Sequence, residues 1–294
     1  MSDIKIAGVM RAGAYSPNHV GNDAAIFNAT CDNLRRRGCE VTIYSEQQFQ
    51  DTDLQEEIIL NMCREQGSIH KLQTLEDQGR LVINSGYGIE NCTRERMTHM
   101  LLGNGIPYPE SLIVNTNEDV RAELERAGFK SCWIKRGDFH AIHKEDITYC
   151  RHAEEAQETL HEYFYRGIRR AVINVHLEGD LVKFYGVQGD RFFFWFYPFD
   201  RGHSKYGWEA VNGQSQGFRF DEAELRDICE RASRLMDVPV YGGDCIIDAD
   251  GGIQIIDFND WPSFAPCRAE AAPAIAKYVL KAIRARLKQT DSER

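Results

Sequence analysis

At 294 residues, 43% hydrophobic and 27% charged, the chain has ordinary globular usage and length for two cores of ~100–200 residues each, and no apolar run reaches the roughly 18 residues of a membrane helix. Its 45 acidic and 35 basic residues leave a net charge of −10, which repels a nucleic-acid backbone, and Arg35-Arg36-Arg37 is the one basic run. The start, MSDIKIAGVM, lacks a basic segment, a long apolar segment and a cleavage site, so a cytoplasmic protein is expected. Nine cysteines scattered without a C-x-x-C pair argue against both a disulfide framework and a zinc ribbon.

Residues 4–10 (IKIAGVM) read as a strand buried on both faces, followed by the polar loop RAGAYSPNHVGN. A helix is expected from Asn22 or Asp23, with Phe27, Thr30, Cys31 and Leu34 at helical spacing. The three arginines suit the negative end of its dipole, and Gly38 stands just past it. CEVTIY (39–44) then completes a βαβ unit, the opening of an α/β domain with a parallel sheet. The loop after the first strand is not G-x-G-x-x-G, which disfavours a nicotinamide enzyme. A helix around 54–66, a strand at 80–86 ending in a Gly-rich turn, and a helix near 93–103 follow, and Pro107 and Pro109 stiffen a connector at the domain boundary. Beyond it the pattern gives strands at 131–136, 171–177, 181–187 and 192–197, with Glu178-Gly179-Asp180 and Gly189-Asp190 as hairpin turns. Helices fit 117–127, 152–166, 221–236 and 268–288, so an antiparallel α+β region is expected.

The most informative stretch is GGDCIIDADGGIQIIDFNDWPSF (242–264). Asp250-Gly251 between two apolar runs signals a two-residue type I′ turn. That turn sets Ala249 opposite Gly252, Ile246 opposite Ile255 and Asp244 opposite Asp257. Facing carboxylates with Cβ atoms about 4.5–5.5 Å apart destabilise a sheet unless something neutralises them. A divalent cation would do so, and strand alternation adds Asn259 to the same face as Asp257. Two carboxylates and an amide oxygen suit Mg²⁺. The alternative is a pair of acids at an exposed hairpin end, against which Ile246 and Ile255 on the same face argue.

Other residues have two readings each. Lys135, on a strand face with Trp133, is either a snorkelling surface lysine or a cleft lysine aimed at phosphate, and Lys183 between Leu181 and Tyr185 is equally open. His140 and His143 are metal or acid–base candidates, or polar surface; FFFWFYPF (192–199) is a core strand or a stacking wall. Arg11, Asn18, His19 and Asn22 form an anion site ahead of a helix N-terminus, or an ordinary βα loop.

An aspartate, a short hairpin, then acid-x-Asn followed by a proline, behind an α/β N-terminal domain, resembles the metal-binding end of ATP-grasp enzymes, among them the ribosomal-protein glutamate ligases and inositol trisphosphate kinase-like enzymes. The stretch 84–114 is similar to the segment in which a helix carries a phosphate-binding basic residue and ends in Gly-Ile-Pro. Here Arg94, preceded by Thr93, stands where lysine after aspartate is commoner. SCWIKR resembles the strand whose lysine, Lys135, reaches the nucleotide, and 171–187 resembles the adenine hinge (Asn174, Val175, His176) with the strand whose phosphate-facing residue, usually arginine, is Lys183. The flap GDFHAIHKEDI carries histidines where small residues are usual, and the likeness covers roughly two-thirds of the chain.

The resemblance implies an α/β substrate-side domain over 1–92 and an α+β nucleotide-binding domain over 93–290, with a small lobe at about 107–174 and a metal-binding lobe at about 175–290. It also implies ATP and Mg²⁺ as cofactors and a carboxylate–amine ligase acting on a small molecule or peptide, with neither a nucleic-acid nor a membrane partner, and it is compatible with a homodimer. Arg94 and Lys183 would be catalytic; Arg94, Lys135, Asn174, Val175, His176 and Lys183 would bind the nucleotide; Asp244, Asp257 and Asn259 would hold the metal; Arg11, His19 and Asn22 would meet the substrate. A small-molecule kinase, and a nucleotide-binding regulator without turnover such as the synapsins, are the alternatives.

Overall fold

The opening apolar run forms β1 (Lys5–Met10), and the helix that follows, α1 (Val20–Arg35), buries Ile26, Phe27, Cys31 and Leu34 along one face before β2 (Glu40–Ser45). Residues 4–16, 20–139, 144–198 and 209–292 are described by this computed structural model. Ser45 and Gln48 make a reciprocal capping box at the start of α2 (Glu46–Asp51). The expected helix at 54–66 is replaced by β3 (Ile58–Asn61), with α3 (Gln66–Asp77) starting where that helix was to end. All four β3 residues are buried, and an apolar run this short has no periodicity to separate strand from buried helix. Then come β4 (Leu81–Ile83), α4 (Gly86–Asn91) and α5 (Arg94–Gly103). The sheet is parallel, in the order β2-β1-β3-β4.

A second, antiparallel sheet is built from β5 (Ser111–Asn115), β6 (Cys132–Arg136), β7 (Ile147–Cys150) and β8 (Arg170–Val175), ordered β5-β8-β6-β7 and backed by α6 (Arg121–Arg126) and α7 (Ala153–Tyr165). The third contains β9 (Asp180–Val187), β10 (Phe193–Phe196), and, after α8 (Glu209–Asn212) and α9 (Glu222–Met236), β11 (Val240–Ile247) and β12 (Ile253–Asp260), ordered β10-β9-β11-β12. The turn expected at Glu178-Gly179-Asp180 therefore makes no hairpin: β8 and β9 leave it for different sheets. Gly189-Asp190 does join an antiparallel pair, and β10 is a core-packed strand whose aromatic residues pack against both neighbouring clusters. Last, α10 (Arg268–Ser292) returns to the parallel sheet, where Ala271, Ile275, Val279 and Ile283 share a core with Phe27 and Leu34 of α1.

The hairpin of β11 and β12 keeps its two acids opposite each other by a different route from the one its turn suggests. Asp248 N–H bonds Gly252 O at 3.0 Å and Gly251 N–H bonds Asp248 O at 3.0 Å, so the loop is three residues, closed by Gly251 at φ 85°. Ile246 therefore faces Gln254, and Ile255 faces Cys245. A β-bulge then leaves Ile256 as the extra residue, and Asp244 faces Asp257 after all. Ile255 lies buried behind the sheet beside Phe258, while Ile246 and Ile256 face the cavity described below. The glycine before Asp244 is required by close approach: a Cβ on Gly243 would stand 2.1 Å from the Asp257 carbonyl oxygen.

Candidate functional site

The three sheets meet at a cavity of about 310 Å³. Its acid wall is a row across three adjacent strands, in which Lys183 of β9 pairs with Asp244 of β11, and Asp244 pairs with Asp257 of β12. Lys183 Nζ lies 2.7 Å from Asp244 Oδ1, and Arg94, at the first turn of α5, grips Asp257 with both terminal nitrogens, Nη2 at 2.9 Å from Oδ2. Arg94 is 4% exposed and Asp257 16%. Burial alone would lower the Arg94 pKa and raise that of Asp257. The attraction between them outweighs it on both sides, holding Arg94 above and Asp257 below its ordinary range, and an Asn259 hydrogen bond helps Asp257.

Lys135 of β6 is 7% exposed and lines the cavity, so it is not a snorkelling surface lysine. Its Nζ donates to Ile256 O at 3.0 Å, a carbonyl of the residue the bulge sets outside the strand register. Burial, with Arg94 adding repulsion, brings its pKa down to about 7. Nearby, Asn174 donates to Ser111 Oγ at 2.7 Å and keeps its buried Oδ1 without a hydrogen-bond partner. Trp133 Nε1 donates to His176 Nδ1 at 3.0 Å, placing the proton of the neutral imidazole on Nε2, and burial lowers the His176 pKa. Val175 completes this wall.

The opposite end belongs to the parallel sheet. In the order β2-β1-β3-β4 the chain departs to opposite sides of β1, so the crevice at the carboxyl ends of β1 and β3 is the expected ligand position. Arg11 follows β1 and Arg64 follows β3, and both line the cavity. Arg11 bonds Asp23 (2.9 Å), Met62 O (3.2 Å) and Trp261 O (3.1 Å), and lies 3.8 Å from Asp260. Arg64 pairs with Asp260 at 2.8 Å. Asn22 is not at the cavity: its Oδ1 accepts from Arg268 at 3.0 Å, fastening α1 to α10. His19, Asn18, His140 and His143 lie outside the described residues. The pattern of the sequence missed Arg64, Asp260, Tyr15 and Phe139, which all line the cavity. Recognising β3 would have exposed Arg64, since it stands just past a parallel strand.

Among the described residues no three His, Cys, Asp or Glu side chains form a metal-holding group, so a cation here would rest on the two aspartates with Asn259. That all-oxygen set fits a hard ion such as Mg²⁺. All nine cysteines are buried and free, and no described helix is long and apolar enough to cross a membrane.

No family model matches this sequence, and no curated protein does. Solved structures do. The D-alanine–D-alanine ligase of Bacillus anthracis in complex with ATP matches with a TM-score of 0.69 at 12% identity, over 98% of this chain and 100% of that one. An ATP-grasp RimK domain protein from Sphaerobacter thermophilus gives 0.66 at 15%, over 94% and 99%. The ATP-grasp ligase PsnB, in complex with a precursor variant, Mg and ADP, gives 0.60 at 15%, over 94% and 97%. Three sheets meeting at one cavity, superposable end to end on these structures, show that the chain has the ATP-grasp fold.

Proposed function

We propose that this protein is an ADP-forming, ATP- and Mg²⁺-dependent carboxylate–amine ligase acting through an acylphosphate on a small molecule or peptide. The observation that carries this reading is the facing pair Asp244 and Asp257 in a cavity that also holds Arg94, Lys135 and Lys183. Two solved relatives of the same fold, described as ligases in complex with ATP or with Mg and ADP, support it. The acid pair with Asn259 would hold Mg²⁺, which would offset the negative charge of the ATP phosphates. Asn174, Val175 and His176 line the wall where the adenine would rest, and Asn174 Oδ1 is an acceptor left for it.

A substrate carboxylate oxygen attacks the γ-phosphorus, the bond to the ADP oxygen breaks, and an amine then displaces phosphate from the carbonyl and loses a proton. Arg94 and Lys183 stabilise the transferring charge, and Lys135 adds a third cation. The acid substrate enters from the parallel-sheet end, beside Arg11 and Arg64. Incubation with Mg-ATP and a metabolite and peptide pool tests the reading: ADP, phosphate and a condensation mass are expected. ADP with a phosphorylated metabolite would make the protein a kinase, and tight ATP binding without turnover would make it a regulator.

A further inference from the structure

We infer that Arg94 and Lys183 are exchangeable counter-ions of the acid pair, so that the cavity takes up a divalent cation only together with a polyphosphate. This rests on the ligase reading of the same cavity. Lys183, Asp244 and Asp257 stand in one row across β9, β11 and β12, and two adjacent carboxylates in such a row need compensation. The chain supplies it from its own side chains: Lys183 on Asp244 and Arg94 on Asp257, each pair occupying carboxylate oxygens a cation would use.

A cation arriving alone would displace both partners and leave them beside it. Among the described residues Lys183 and Arg94 already balance Asp244 and Asp257, so two further positive charges would meet the released cations rather than a vacant acid site. A polyphosphate reverses this balance. Its oxygens offer Arg94 and Lys183 new partners as they leave the aspartates, and the fork of a guanidinium suits phosphate as well as carboxylate. Arg94 is also equipped for a further ligand, because its buried Nε has no hydrogen-bond partner and the residue lines the cavity. Lys183, 22% exposed, already lines the cavity that a polyphosphate would enter. The basic residues thus hold the acid row together when the site is empty and become phosphate ligands when it is filled.

The test uses Mn²⁺ as the probe, titrated by electron paramagnetic resonance into the full chain with and without a non-hydrolysable ATP analogue. Wild type is expected to bind Mn²⁺ alone weakly, and about tenfold or more tightly once the analogue is present. Arg94→Met and Lys183→Met are expected to bind Mn²⁺ alone about tenfold or more tightly than wild type while binding the analogue more weakly, opposite signs that a general loss of structure does not produce. Lys183 is the more exposed of the two, so its variant carries the test if Arg94→Met does not fold. Variants that bind Mn²⁺ alone no better than wild type, with the Mn²⁺–analogue complex intact in wild type, would overturn the exchange and leave the ligase reading standing. Wild type that binds neither Mn²⁺ nor the analogue would overturn both.

Discussion

Two arginine–aspartate pairs lie three residues apart on β12, at Asp257 and at Asp260, and both line the same cavity. Asp260 is 1% exposed, and its partners are embedded in backbone: Arg64 also donates to Asp260 O, and Arg11 to Met62 O and Trp261 O. One further carboxylate fixes the loops that carry these arginines, since Glu46 accepts N–H bonds from Ala12 (2.8 Å), Arg64 (2.7 Å) and Glu65 (2.6 Å). Asp257, by contrast, is held by side chains alone at an open wall, with other ions within reach. Chemically the pairs are alike. What surrounds them makes one a seam between the parallel sheet and β12 and the other a site.

The largest effect is therefore expected at the seam. Asp260→Ala strands Arg64 in the interior and should cost about 3–5 kcal/mol of stability, read from urea unfolding. If this variant unfolds like wild type, the distinction between the pairs collapses. Asp257→Asn should lower ADP formation at least about a hundredfold at ordinary Mg²⁺. Its unfolding midpoint should fall less than that of Asp260→Ala, since asparagine keeps the volume of the side chain and leaves Arg94 an amide oxygen to bond. The facing charges are already compensated by Arg94 and Lys183, so relief of their repulsion offers no gain in stability.

Lys135 sharpens the comparison through pH. Its pKa, about 7 against an ordinary 10.5, means that between those values the unfolded chain holds a proton the folded chain has lost. Stability should therefore rise with pH across that window, with the full burden of the buried charge present below it, and Lys135→Met should remove this rise. Unfolding midpoints of both proteins at a series of pH values check it. Phosphate beside Lys135 should restore the proton, so nucleotide binding near pH 8 should take up protons, visible by calorimetry in buffers of different ionisation enthalpy. The smallest effect belongs to Asn22→Ala, which loses one hydrogen bond to Arg268 and should cost about 1 kcal/mol with ADP formation unchanged.

Local chemistry in the sequence foretold the helices with spaced apolar residues, α1, α7 and α9 among them, and the placement of Asp244 opposite Asp257. Three features escaped it for physical reasons. The β3 run, with every residue buried, shows no alternation between faces. At Glu178-Gly179-Asp180 the turn residues say that the chain bends, not that the flanking strands pair, and those strands join separate sheets. Arg64 meets Asp260 across 196 residues, a contact that exists only once the parallel sheet and β12 have docked. Lys135 and Lys183 keep two readings in the sequence, because a lysine on a strand face reads alike at a surface and in a cleft, and Asn174 is placed by the resemblance alone, since β8 buries four residues in succession and shows no alternation.

The bulge at Ile256 acts as an expansion joint in the hairpin. A three-residue loop alone would carry the far strand one step out of phase and turn an isoleucine, not an aspartate, toward Asp244; the extra residue absorbs that step before the acids are reached. The tip and the acid row are thereby mechanically independent. Loop length at residues 248–252 can drift by one residue so long as the joint gains or loses one in return, and the carbonyl that the joint turns out of line is the one that tethers Lys135. Errors of register at the tip stop at Ile256, and the chemistry begins on the other side of it.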